Sequence, residues 1–153
     1  MATAKQLEHP KTDLYEQDFL AWVEDQAQAL RSRQASALDW DNLLEEIETM
    51  GRSEKNALRS RLRVLLMHLI KWQWQPEKKS KSWAQTIREQ RLAIKYLLKD
   101  SPSLKRLVSE LLVESWDDAA NEALFETGLA ISTFPSVCPW DMDTQILANW
   151  RPE

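Results

Sequence analysis

Residues 71–83, KWQWQPEKKSKSW, interleave Trp72, Trp74 and Trp83 with Lys71, Lys78, Lys79 and Lys81. Rings that stack on bases, beside ammonium groups that meet phosphates, are what single-stranded nucleic acid asks of a surface. The same residues have a plainer use. On a helix, positions 72 and 74 point about 200° apart, so at most one of the two rings easily faces solvent. Tryptophans also anchor cores. Lys71, Trp74, Lys78, Lys79 and Lys81 are the candidate binding residues. Just upstream, His68 stands in an apolar run, and the one other histidine, His9, belongs to the N-terminal stretch. A histidine in such a run either satisfies a core hydrogen bond or does chemistry. Arg61 lies seven residues before it, about 700° of helical rotation and so on one face, whereas Arg63 lies roughly 140° away. Glu45, Glu46 and Glu48 form an acidic cluster that is expected to pair with arginines of a later helix, such as Arg88 or Arg91. Cys138 sits between Val137 and Pro139 and reads as a small buried hydrophobe rather than a nucleophile.

The spacings Arg63-x4-His68 and Arg61-x6-His68 resemble the Arg-x(4–6)-His motif of HEPN ribonucleases, which are also helical bundles. That resemblance implies an arginine that stabilises phosphate charge and a histidine that orients or protonates the RNA, without metal, at a site commonly formed across a dimer. The chain departs from the motif directly after the arginine, where the family usually has a polar residue and this chain has Leu62 or Val64. The acidic cluster with His68 is similar in residue type to the ligands of ferritin-like di-iron bundles. Those need two Glu-x-x-His motifs and the chain has none, so no metal and no cofactor is expected. Neither a Gly-x-Ser-x-Gly elbow nor a His-Glu-x-x-His helix occurs.

These side chains must be placed by helices. The chain has 153 residues, 43% hydrophobic and 29% charged, a globular composition for one domain. Two glycines argue at once against an all-β fold, a dinucleotide fingerprint and a phosphate-binding loop. One cysteine excludes an internal disulfide framework and a thiolate zinc cluster. The apolar runs are far shorter than the roughly 20 residues that span a bilayer. The opening MATAKQLEHPKTD has no apolar core of a signal peptide, and a cytoplasmic protein is expected. Charge is uneven. Residues 1–50 carry 4 basic and 11 acidic groups, residues 51–106 carry 15 and 4, and residues 107–153 carry 1 and 9. Either acidic helices neutralise the basic middle inside the fold, or that middle attracts an anionic partner.

Periodicity predicts a loose tail over residues 1–12 and a single helical domain over 13–153. A first helix is expected at about 14–32, opened by an Asp13-x-x-Glu16 capping box. Asp39 is a good N-cap for the next. The apolar phase at 40, 43, 47, 50, 58, 62, 65 and 69 survives Gly51, which favours one long or kinked central helix over about 40–75, stopped by Pro76. Its stretch from Leu62 to Ile70 is apolar nearly all round, which marks the centre of a bundle. Ser82-x-x-Gln85 is expected to open a helix to about Lys99. Ser101-Pro102 is expected to open another, to Glu126, that Gly128 ends. Asp141 caps a short last helix, 142–148. The fold class is therefore all-α, a four-helix bundle with a short C-terminal helix.

The run from Trp40 to Arg91, WDNLLEEIETMGRSEKNALRSRLRVLLMHLIKWQWQPEKKSKSWAQTIREQR, resembles the hallmark stretch of the domain-of-unknown-function 29 family. The flanks LYEQDFLAWVEDQA, PSLK, FETGL and TFPSVCPW agree in order and spacing, over about residues 13–141. The resemblance implies a compact all-helical protein of a kind frequent in cyanobacteria, and no chemistry. Two functions stand as expectations. One is a non-enzymatic interaction module whose basic middle binds an acidic protein or RNA. The other is a HEPN-like ribonuclease using Arg61 or Arg63 with His68. Pairing of two chains is compatible with both.

Overall fold

The computed structural model describes residues 10–153, with side chains from Leu14 onward. Every regular element among the described residues is helical, and the chain is an all-α helical bundle. The helices are α1 (Pro10–Gln17), α2 (Phe19–Arg31), α3 (Trp40–Trp74), α4 (Lys81–Asp100) and α5 (Val108–Thr127), followed by a π-helical turn, Met142–Ile146. Residues 1–9 of the expected tail, His9 among them, lie outside the described residues, as does the capping side chain of Asp13; residues 10–12 open α1. The backbone divides into two compact units, one ending at Ser53 and the other running from Glu54 to Glu153.

In the first unit the expected helix at 14–32 is broken in two at Asp18. Its backbone leaves the helical region (φ −148°, ψ 87°), and its side chain accepts from the Ala21 amide at 3.0 Å, so Asp18 starts α2 as an N-cap. Tyr15, Phe19 and Trp22 pack ring against ring, with Tyr15 and Trp22 centroids 4.8 Å apart. Trp22 is buried, and its indole NH donates to Asp39 Oδ2 at 3.0 Å. The Asp39 amide in turn donates to the buried Gln26 side chain at 2.7 Å, which fixes the chain just before α3. Tyr15 donates to Glu46 Oε1 at 2.5 Å, and that carboxylate holds the phenol up to about 12. Glu45 and Glu48 turn to Arg52 of their own helix, at 3.0 and 3.8 Å, in place of the expected Arg88 or Arg91. A partner one or two turns along the same helix needs no tertiary contact. Trp40, Leu44, Ile47 and Met50 are exposed along the same stretch.

In the second unit, α3 supplies the centre. Leu58, Leu62, Leu65, Leu66, Leu69 and Ile70 are fully buried. Around them pack Ile87 and Ile94 of α4, Leu104, and Leu111, Trp116, Ala119, Ala120 and Ala123 of α5. Alanines on the α5 stripe let helices approach closely where leucines would not fit. The segment after α5 closes the remaining side with Phe134, Trp140 and Ile146, and the Trp116 indole donates to the Pro135 carbonyl at 2.9 Å. Ser80, rather than Ser82, caps α4: its extended backbone lets the hydroxyl accept from the Trp83 amide at 3.1 Å. Lys81 therefore belongs to the first turn of α4. The chain after Ser101 winds first as a tight 3-10 stretch, Pro102–Leu107, before α5 begins. Asp141 caps the last turn, accepting from the Asp143 and Thr144 amides, and these donors lower its carboxyl pKa.

The two glycines give opposite tests. Gly51 lies inside the continuous α3, and a Cβ there meets nothing within 4 Å. Gly51→Ala should stabilise the helix by up to about 1 kcal/mol. Gly128 ends α5 at φ 70°, and Gly128→Ala should destabilise by about 1 kcal/mol. Thermal and urea unfolding of the two variants should move in opposite directions.

Candidate functional site

The acidic and basic stretches of the chain meet inside the second unit, and they meet selectively. Glu114, Glu122 and Glu126 of α5 hold Arg59, Arg63 and Lys71 of α3 at 2.9, 2.8 and 2.8 Å. Helix α5 thus pairs with three of the cations of α3. Among the described residues, no carboxylate forms an ion pair with α4. Its outer face, with the turn that follows and the last residues of the chain, forms a groove of about 1460 Å³. Lys81, Arg88, Arg91, Lys95 and Lys99 come from α4, Lys105 from the turn and Arg151 from the C-terminal segment. Glu89 is the one carboxylate on its walls, and its Oε1 accepts from the Gln85 amide group at 2.8 Å. None of the seven cations has an ion-pair partner among the described residues. Leu92, half exposed, is part of the apolar lining with Leu98 and Leu147.

One cation of the seven is structural. Arg91 donates through Nε to the Ile146 carbonyl at 2.7 Å, and through Nη2 to the carbonyls of Gln145, at 3.2 Å, and Trp150. The open carbonyls at the end of the π-helical turn need donors, and a guanidinium fork supplies several from one side chain. Burial, and then the charge of Arg151, lower the Arg91 pKa, so these carbonyls are what make its charge tolerable there. The clasp brings Leu147, Ala148 and Arg151 up beside α4 as the second wall of the groove.

The sequence-derived candidates fall in different places. Lys78, Lys79 and Lys81 are exposed, and Lys79 and Arg151 lie over the Trp72 ring, at 5.1 and 4.6 Å from its centroid. Lys71 is buried, paired with Glu126 and set over the Trp83 ring at 4.8 Å. Trp74 packs edge-on to Phe134 and close to Trp140. Arg61 is exposed with only a long 3.4 Å bond to Gln90, and Arg63 is bound to Glu122. His68 is half-buried, and its Nδ1 lies 2.8 Å from the Val64 carbonyl oxygen. That oxygen can only accept, so Nδ1 carries the proton. His68 lines neither the groove nor the smaller hollow by Arg63, Asp118 and Phe125. Cys138 is half-buried with its thiol pKa raised by burial, and donates to the Trp140 carbonyl. Among the described residues no three His, Cys, Asp or Glu side chains converge as a metal site would require, and no helix is long and apolar enough to cross a membrane.

The groove itself was missed by the sequence reading, although a signal for it exists. Lys81, Arg88 and Lys95 recur every seven residues, as do Gln85, Leu92 and Lys99 beside them. Such rows mark a helix face distinct from the buried one through Ile87 and Ile94.

Helices enclosing one apolar central helix, with no strand among the described residues, define an all-α helical-bundle protein. The chain belongs to the family described as Domain of unknown function DUF29, whose model matches residues 14–151. No curated protein and no solved structure matches it.

Two outcomes test this geometry. Arg91→Ala should cost about 2–3 kcal/mol, because several carbonyls lose a charged donor. Urea unfolding would measure it, and limited proteolysis should cut earliest after residue 140. Burial lowers the His68 pKa below its ordinary 6.5. The unfolded chain then binds the proton more tightly, so stability is full above about pH 6.5 and falls as pH drops towards the folded value. His68→Gln should flatten that fall between pH 7 and 5; an unchanged slope in urea titrations would show that His68 does not drive it.

Proposed function

We propose that the protein is a non-enzymatic binding module whose basic middle segment takes an anionic macromolecule, an acidic protein or a nucleic acid, along α4. The observation that carries this is the unequal treatment of charge. Arg59, Arg63 and Lys71 of α3 are matched by glutamates of α5, whereas the cations lining the groove form no ion pair among the described residues, and Glu89 is the one carboxylate in its lining. Like charges gathered without counter-charges repel one another and lower stability, so they are retained more readily where a ligand supplies the missing sign. Lys78 and Lys79, beside Lys81, extend the same field past the end of the helix. The ribonuclease alternative has less support. Arg63 is already neutralised, and His68 lines neither hollow in which RNA could meet it.

Native purification of the tagged protein from its own host tests the reading. A stoichiometric acidic protein, or nuclease-sensitive material absorbing at 260 nm, should co-purify. Combined Arg88→Glu, Lys95→Glu and Lys99→Glu should weaken that complex by about tenfold or more, and added salt should weaken the unaltered complex. Co-purification unchanged by the reversals would defeat the proposal. Cleavage of RNA that His68→Ala abolishes would restore the enzyme reading.

A further inference from the structure

Resting on that anion-binding reading, we infer that the groove receives an acidic amphipathic helix from a protein partner rather than a nucleic-acid strand. The composition of the groove supports this choice. Its apolar lining is aliphatic, Leu92, Leu98 and Leu147 among it, and none of the tryptophans, tyrosines or phenylalanines of the chain lines it. Single-stranded nucleic acid draws much of its affinity from aromatic platforms on which bases stack. A groove lined by cations and leucines with no such platform offers phosphates a place and bases none. A helix with leucines on one face and carboxylates on either side uses both the cations and the leucines.

The cations have the right repeat. Lys81, Arg88 and Lys95 stand seven residues apart on α4, about 10.5 Å per interval. Seven residues is also the interval at which a second helix lying along α4 returns an equivalent side chain to the seam. A glutamate at each flanking heptad position would therefore meet successive cations in register. Arg151, on the C-terminal segment, sets a cation on the opposite wall. Size agrees as well. The cavity of about 1460 Å³ exceeds the roughly 300–1,000 Å³ of small-molecule sites. From Lys81 to Lys99 the lined face of α4 runs about 27 Å, room for about five turns of partner helix.

The test measures binding of three fluorescent probes to the full chain by anisotropy. One is a helical peptide of about five turns, with leucines on one face and glutamates beside them. The second has the same composition with the leucines scattered around the helix. The third is an oligouridylate of similar length. Leu92→Gln changes the apolar lining at a half-exposed position, and Lys95→Glu reverses a lining cation; circular dichroism checks that both variants stay folded. The patterned peptide should bind about tenfold tighter than either other probe. Leu92→Gln should remove that preference while leaving the scattered peptide and the RNA unaffected, and Lys95→Glu should weaken all three. If the RNA or the scattered peptide binds as tightly as the patterned one, the helix inference is overturned and the anion-binding reading survives. If no probe binds, or Lys95→Glu changes none of them, both are overturned.

Discussion

A helix that carries leucine or isoleucine at 58, 62, 65, 66, 69 and 70 has a broad apolar face, about 140° of its circumference, that it cannot leave to water. At roughly 25 cal/mol per Å² of apolar surface, exposing even one such face would cost more than a small domain has to spare. The second unit is the solution to that constraint. Helix α4 covers one side and α5 another, and the segment after Gly128 covers what two helices leave open. The third cover is not a regular helix; Pro135, Pro139 and Pro152 and the rings of Phe134, Trp140 and Trp150 shape it instead. Trp74, Phe134, Trp140, Trp116 and Trp150 meet in a chain of ring contacts between 5.4 and 6.0 Å. Large rings fill the irregular space that a short extended segment would otherwise leave empty.

Enclosure forces a division of labour between charges. The arginines and the lysine on the flank of α3 lie at the seam with α5, and there glutamates meet them. Lys71 shows the limit of that logic. Its stem is buried, and its ammonium reaches both a carboxylate and the face of Trp83. Cations on α4 face away from the seam and acquire no such partners. The basic character of residues 51–106 is therefore two populations with different environments, one paired with glutamates of α5 and one left without ion pairs among the described residues.

Much of this was legible in the sequence. The apolar phase running through Gly51 gave the continuous central helix, because a glycine costs a long, well-packed helix little. Gly128 and Asp141 took their expected capping roles, since their conformational preferences act locally. The misses were tertiary or were choices between near-equivalent neighbours. Asp18 competed with Asp13 as a start signal, and Ser80 with Ser82. In each case a side chain that could reach an amide three residues on decided the boundary. Periodicity cannot say which carboxylate meets which arginine, so Glu45 and Glu48 were assigned across the chain when Arg52 lay nearby on the same helix. The candidate binding residues divided similarly. Composition identified Lys78, Lys79 and Lys81 together with Lys71 and Trp74, but only the packing of α5 and the C-terminal segment separates the exposed three from the enclosed two.

The clasp by Arg91 has a consequence for cooperativity. One wall of the groove is not part of any long helix; it is the segment 147–151, held by Arg91, by the Trp150–Trp140 ring contact and by Arg151 over Trp72. Irregular segments outside the long helices open locally at lower free energy than the core they cover. Ligation and the closing of this segment are then linked equilibria. An occupant that touches both walls stabilises the closed form by an amount set by its concentration relative to its dissociation constant, and in the open form half of its contacts are missing. This segment would act as a latch whose protection against hydrogen exchange reports occupancy of the groove, with no rearrangement of the helices themselves.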